Sequence, residues 1–285
     1  MPGFRHILFP VDFSESSKAV CPYVKSFAGH FQAKVTLLHV VQVFLNVPKG
    51  IDPSYPVSFD FPSVEWQTRE LLKGYFDAPD VERVVQQGDP AIDISDYARD
   101  HGVDLIMLPT RGYGKFRSLL LGSVTSKVLH DSDCAVWTAP HAEGPAMKQH
   151  WPCRNLLVAV DRGEDQVLVL RRAVELAREL GANVRLVHAI PAAEHQPWEF
   201  GGEEFGHYLM QVANQDIAKL QESVGTKLEV SVIAGGIGPV VRTVAEEQHA
   251  DLVVIGRGVM HETMGRLRSK SYEIIRQSPC PVLSL

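Results

Sequence analysis

The segment Pro109-Thr110-Arg111-Gly112-Tyr113-Gly114-Lys115-Phe116-Arg117-Ser118-Leu119-Leu120-Leu121-Gly122-Ser123-Val124-Thr125 gathers the residue types that a phosphate needs. Gly112 and Gly114 let backbone N–H groups approach an anion with no Cβ in the way. Gly122-Ser123 falls where a helix would begin, and the free N–H groups and positive dipole end of a helix favour phosphate. Ser123, Thr125 and Ser126 add hydroxyl donors, while Arg111, Lys115 and Arg117 add positive charge. Glycines near a helix start are a weak signal by themselves. Position strengthens it, because the segment follows an apolar run at residues 104–108 and Asp12 directly follows another at 5–11. In a parallel sheet, ligands collect beyond the carboxyl ends of the strands. Asp12 suits ribose hydroxyls or a phosphate-bound Mg²⁺, with a helix-capping role as the alternative.

The loop needs a sheet to hold it. Residues 5–11, 35–41, 81–86, 104–108 and 135–139 are short apolar runs bounded by turn residues, as buried strands are. Ala19, Val20, Tyr23, Val24 and Phe27 recur at helical spacing after Ser14, which suits an N-cap for a helix running to about residue 29. Further helices are predicted over 63–76, over 90–101 with Asp89 as cap and Pro90 in the first turn, and over 122–130. Pro48, Pro53, Pro56 and Pro62 exclude residues 46–62 from a helix or central strand, leaving a long excursion over the strand ends.

This plan is written twice. His6-Ile7-Leu8-Phe9-Pro10-Val11-Asp12 returns as Asn155-Leu156-Leu157-Val158-Ala159-Val160-Asp161, and Ala33-Lys34-Val35-Thr36-Leu37-Leu38-His39 as Ala182-Asn183-Val184-Arg185-Leu186-Val187-His188, both at an offset of 149. Val103-Asp104-Leu105 matches Ala250-Asp251-Leu252 at 147, and Cys134-Ala135-Val136 matches Cys280-Pro281-Val282 at 146. Strands at 155–160, 183–189, 228–233, 252–255 and 282–285, with helices near 165–180, 200–223, 238–248 and 267–277, complete the second copy. The predicted fold class is α/β: two tandem doubly wound parallel-sheet domains, each with five strands and about four helices. The domains span 1–141 and 153–285, joined by a linker at 142–152 that mixes Gly, two Pro and charge.

Composition narrows the classes further. The chain has 285 residues, 45% hydrophobic and 22% charged, ordinary for two globular cores and unlike disorder. Residues 1–141 carry 13 Lys+Arg against 16 Asp+Glu and the remainder 15 against 18, so neither half offers a basic face to nucleic acid. Cys21, Cys134, Cys153 and Cys280 form no C-x-x-C pair and suit reduced thiols in a cytoplasmic protein. The opening Met1–Arg5 has no long apolar core after its charge, and no apolar run approaches a membrane span of ~18 residues. Membrane insertion and a secretory leader are therefore not expected.

The loop, the opening Ile7-Leu8-Phe9-Pro10-Val11-Asp12, the strand ending Leu38-His39-Val40-Val41 and the closing Cys134-Ala135-Val136 together resemble the universal stress protein family. That family's nucleotide motif is Gly-x-x-Gly, nine residues, then Gly-Ser/Thr; Gly112, nine residues and Gly122-Ser123 match its spacing. The likeness covers both halves and implies a tandem member with an adenine-nucleotide alpha-hydrolase-like fold and an ATP site, with or without Mg²⁺. Carried over by position, Pro10, Val11, Asp12 and Val41 hold the adenosine, and Gly112, Gly122, Ser123, Val124 and Thr125 the phosphates. Pro109 departs from the pattern, standing where the family has its first glycine and offering no N–H. Residues 135–139 and 282–285 would pair, since family members pair through their last strands, and the second domain would serve as a built-in dimer partner. A further homodimer stays open.

The second copy departs more. Arg268-Ser269 stands at Gly122-Ser123, and Gly256-Arg257-Gly258 is one residue short of Gly-x-x-Gly. Arg257, Arg266, Arg268 and Lys270 could attract an anion, but the preferred reading is a solvated basic loop over a vestigial pocket. His39 and His188 end equivalent strands and read as packed histidines; no spacing supports a metal site. The chain has no Gly-x-Ser-x-Gly and no Walker sequence. Binding of ATP as a stress signal is thus favoured over slow hydrolysis or self-phosphorylation at Ser123, Thr125 or Thr110, and over a nucleotide-free scaffold. Trp198 and Phe200 suggest a hydrophobic cover or a partner patch.

Overall fold

The computed structural model describes residues 3–42, 60–76, 80–110, 121–139, 153–163, 165–190, 202–257 and 267–285. Arg111, Gly112, Gly114, Lys115, Arg117, Trp198, Phe200, most of the 46–62 excursion and the 142–152 linker lie outside these residues. The first repeat runs β1 (His6–Pro10), α1 (Glu15–Phe31), β2 (Lys34–Val41), α2 (Phe61–Tyr75), β3 (Val81–Gln87), α3 (Pro90–Asp100), β4 (Leu105–Leu108), α4 (Ser123–Asp131) and β5 (Ala135–Thr138). The second runs β6 (Asn155–Ala159), α5 (Gln166–Leu180), β7 (Asn183–Ile190), α6 (Gly202–Val224), β8 (Val230–Ala234), α7 (Ile237–Glu247), β9 (Leu252–Ile255), α8 (Leu267–Gln277) and β10 (Val282–Ser284).

Local chemistry accounts for the helix starts. Ser14 caps α1 by accepting from the Ser17 N–H, and Asp89 caps α3 by accepting from Ala91. Pro62, expected in the excursion, instead lies in the first turn of α2, where its missing N–H deprives no intrahelical bond. Asp60 caps that helix, accepting from the Ser63 N–H and hydroxyl.

One compact unit comprises residues 4–110 and 122–134 of the described chain. Its strands lie in the order β3-β2-β1-β4, with β1 parallel to β2 and β4 and β2 parallel to β3. Ile7, Leu8 and Phe9 of β1 have no solvent exposure, as a parallel strand covered on both faces requires. The second unit comprises Gly3, Leu121, residues 135–139 and the described part of 153–285, in the order β5-β10-β9-β6-β7-β8. The last strands do pair, antiparallel, with Thr138 opposite Val282, Trp137 opposite Leu283 and Val136 opposite Ser284. Five strands per repeat thus become four in one unit and six in the other, because β5 takes its place beside β10. Trp137 is fully buried there. No helix among the described residues is long and apolar enough to cross a membrane.

Each repeat also carries an acidic clamp on its first strand. Asp104 accepts from the N–H groups of Arg5 at 2.9 Å and His6 at 3.1 Å. Asp251 repeats this with Arg154 at 2.8 Å and Asn155 at 3.0 Å. Bonds from amides to a carboxylate are the stronger kind, and partial exposure here weakens them. Asp104→Ala and Asp251→Ala should each lower unfolding free energy by about 1–3 kcal/mol in urea titrations; midpoints unchanged from the parent would remove the clamp's role.

Candidate functional site

Polar groups of the first repeat collect where β1, β2 and β4 end. Pro10 closes β1, and the next N–H, that of buried Val11, donates to the Leu38 carbonyl at 2.9 Å. The Val11 carbonyl accepts from His39 Nδ1 at 2.7 Å, so His39 is the packed strand histidine its repeat position suggested. Asp12 comes next. Its Oδ1 accepts from the Ser14 N–H at 2.9 Å and the Ser14 hydroxyl at 2.6 Å. Asp12 therefore braces the cap of α1 with one oxygen, while its second oxygen has no hydrogen bond among the described residues.

Phe13 holds that turn in the left-handed region at φ 61°, a costly conformation for a bulky side chain. Its ring is held by His39 at 4.9 Å and by the edge of Tyr75 at 5.4 Å. Burial raises the Tyr75 pKa well above the usual phenol range, so the hydroxyl stays protonated and donates to the Ser14 carbonyl at 3.4 Å. Val41 lies on the neighbouring strand end, its carbonyl accepting from the Gly88 N–H at 3.1 Å.

The loop after β4 is fastened at both ends. The Thr125 hydroxyl donates to the Pro109 carbonyl at 2.9 Å, and the Gly122 N–H donates to the Thr110 carbonyl at 2.9 Å. Pro109, which offers no N–H, contributes its carbonyl instead. Thr125 is buried, and its hydroxyl donates to the Pro109 carbonyl rather than into the loop. Thr110 is buried as well, whereas Ser123 is exposed. Gly122 begins α4 with no side-chain cap, and the first intrahelical bond runs from Ser126 N–H to the Gly122 carbonyl. The amides of Ser123, Val124 and Thr125 are thus left without intrahelical partners at the helix's positive end.

The second repeat keeps the frame and changes its contents. Asp161 accepts from the Gly163 N–H at 2.8 Å, and His188 donates Nδ1–H to the Val160 carbonyl at 2.8 Å, mirroring Asp12 and His39. After β9, the Arg257 N–H donates to the Leu285 carbonyl at 3.3 Å and is spent on the chain end beside β10. The pocket is open, with a cavity of about 530 Å³ between Asp161, His188, Gly236, Lys270 and Glu273. No group of three His, Cys, Asp or Glu side chains is gathered to hold a metal among the described residues.

Sequence patterns had not singled out Asp104, Asp251 or Glu273 as working residues. Asp104 and Asp251 did recur in the repeat, and that recurrence was the available signal. Glu273 carries no such mark, because its role arises from contact between two helices.

A duplicated parallel α/β repeat with a strand-end acid and an uncapped helix beyond β4 defines the structural class. The chain belongs to the universal stress protein family, whose pattern matches residues 3–140 and 152–285. Universal stress protein MJ0577 of Methanocaldococcus jannaschii is 29% identical over 149 residues, covering 46% of this chain and 91% of that protein. Universal stress protein YxiE of Bacillus subtilis is 25% identical over 143 residues, covering 47% and 97%. A universal stress protein from Archaeoglobus fulgidus superposes with a TM-score of 0.63 at 20% identity, over 100% of this chain and 97% of that one. PA1789 of Pseudomonas aeruginosa, of unknown function, gives 0.64 at 16%, over 99% and 92%. These two likenesses show the tandem fold.

The fastening of the loop has a direct test. Thr125→Val keeps the side-chain shape and leaves the Pro109 carbonyl without its donor, which should cost about 1–3 kcal/mol of stability. Urea unfolding measures the loss, and hydrogen exchange should quicken at Gly122 and Ser123 before it does in β1.

Proposed function

We propose that the first repeat binds an adenine nucleotide, ATP in the first instance, as a stress-responsive signal. The observation that carries this is the uncapped start of α4, pinned by Thr125 to Pro109 directly after β4. Because β1 pairs with β4, Asp12 follows the strand next to it. The amides of Ser123, Val124 and Thr125, with the exposed Ser123 hydroxyl, suit the phosphates. The second oxygen of Asp12 suits ribose hydroxyls or a phosphate-bound Mg²⁺, and Pro10, Val11 and Val41 suit the adenosine. Arg111, Gly112 and Gly114 would complete the cradle from the loop.

The second repeat acts as an internal partner, and the β5–β10 pairing supports that role. The same pairing dictates the form of the test. A fragment ending at residue 141 would carry β5 without its partner, so the full chain must be used.

Calorimetric titration with ATP·Mg should give one saturable event, which Gly122→Arg abolishes. Gly122 has φ −59°, a value any residue adopts, so the variant is expected to fold and its loss of binding to report crowding at the phosphate. Asp12→Asn should weaken ATP about tenfold, as loss of a charge-assisted bond does. Undiminished ATP binding by Gly122→Arg would contradict the proposal.

A further inference from the structure

Three polar side chains run across the amino ends of the first repeat's strands, at the opposite end of the sheet from Asp12 and Val41. His6 opens β1, and Thr36 of β2 stands opposite Glu82 of β3. Thr36 has no solvent exposure, and His6 is 9% exposed. His6 Nε2 lies 2.9 Å from Thr36 Oγ1, which lies 3.0 Å from Glu82 Oε2. The other ring nitrogen, Nδ1, lies 3.2 Å from the His101 carbonyl. Lys34 Nζ meets the same Glu82 oxygen at 2.8 Å.

This line is one proton short when His6 is neutral. The His101 carbonyl only accepts, so Nδ1 carries the ring's proton and Nε2 is left as an acceptor. Thr36 then has one hydroxyl proton between two acceptors, Nε2 and the Glu82 carboxylate. Whichever it serves, the other contact sets lone pair against lone pair. A proton on Nε2 removes the conflict: the charged ring donates from both nitrogens and Thr36 donates to Glu82. The Tyr97 hydroxyl also faces Thr36, but a bond from it to the Thr36 oxygen adds no proton at Nε2.

The surrounding charges decide when that proton arrives. Burial and the Lys34 ammonium of β2 hold the His6 pKa below its usual 6.5. Against them stand the His101 carbonyl at the end of α3, Asp104 ahead of β4, and Glu82. His6 is therefore neutral at neutral pH. Glu82 is half-exposed and has Lys34 and solvent as other donors, whereas Nε2 has Thr36, so the neutral ring takes the hydroxyl. The second repeat fills these positions with groups that do not titrate near neutrality. Asn155 stands at His6 and Arg185 at Thr36, and Arg185 meets Glu229 directly at 3.0 Å.

We propose that His6, Thr36 and Glu82 form an acid-responsive switch peculiar to the first repeat: a proton on His6 turns the Thr36 hydroxyl toward Glu82 and joins β1, β2 and β3 by one chain of hydrogen bonds. Because the folded pKa lies below the unfolded one, the stability His6 contributes is complete above pH 6.5 and is lost as pH falls from there through the folded value. Glu82, held low first by its bond to Lys34, loses its own contribution only below its usual 4.5.

NMR titration of the imidazole nitrogens in the full chain reads tautomer and midpoint together. The neutral ring should be protonated at Nδ1, with a midpoint below 6.5. Glu82→Gln should lower that midpoint by about half a pH unit, because the charged ring loses the end of its chain. In the Thr36→Val background the same change should move the midpoint at most about half as far, and Thr36→Ser, which keeps a hydroxyl, should restore the full effect. An equal effect of Glu82→Gln with and without the hydroxyl is plain charge attraction and overturns the switch. So does a neutral ring protonated at Nε2, which the unmodified chain reveals even if Thr36→Val fails to fold.

Discussion

Two hydrogen bonds, Thr125 to the Pro109 carbonyl and the Gly122 amide to the Thr110 carbonyl, hold the first repeat's site in one geometry. They join the end of β4 to the start of α4, so the free amides of that helix are presented from a fixed base. Their strength comes from burial, since Thr125 and Thr110 are each 4% exposed and an unmet carbonyl there could not turn to water. Pro109 fits the arrangement without penalty because the contact uses its carbonyl. Proline at this position changes which backbone atom works and leaves the loop anchored.

The two repeats diverged at the helices more than at the strands. Asp12 and Asp161, His39 and His188, and Asp104 and Asp251 make the same backbone contacts in both units. Asp89 caps α3 with its side chain, whereas Gly236 leaves α7 to the neighbouring Glu273. The strand-end contacts are kept in both repeats, whereas the starts of α3 and α7 differ.

Much of this was legible in sequence because it is local. Ser14, Asp89 and Pro90 mark helix starts through bonds within a few residues, and the structure places every predicted element within two residues of its expected ends. Duplication exposed the histidine pair. What escaped was contact between distant positions. The hydroxyl of Thr125 donates to the carbonyl of Pro109, sixteen residues earlier, a bond that no local pattern announces. The residues that line the second repeat's cavity come from strand ends and from α7 and α8, distant in sequence from one another. Pairing of β5 with β10 was foreseen only through family resemblance; apolar periodicity finds a strand but does not choose its neighbour.

The central claim is an asymmetry: one repeat offers amides to a polyphosphate while the other carries Arg268-Ser269 where Gly122-Ser123 stands. Equilibrium dialysis of the unmodified chain against labelled ATP with Mg²⁺ measures it most directly. Saturation at one ATP per chain is the predicted result. Saturation at two would contradict it.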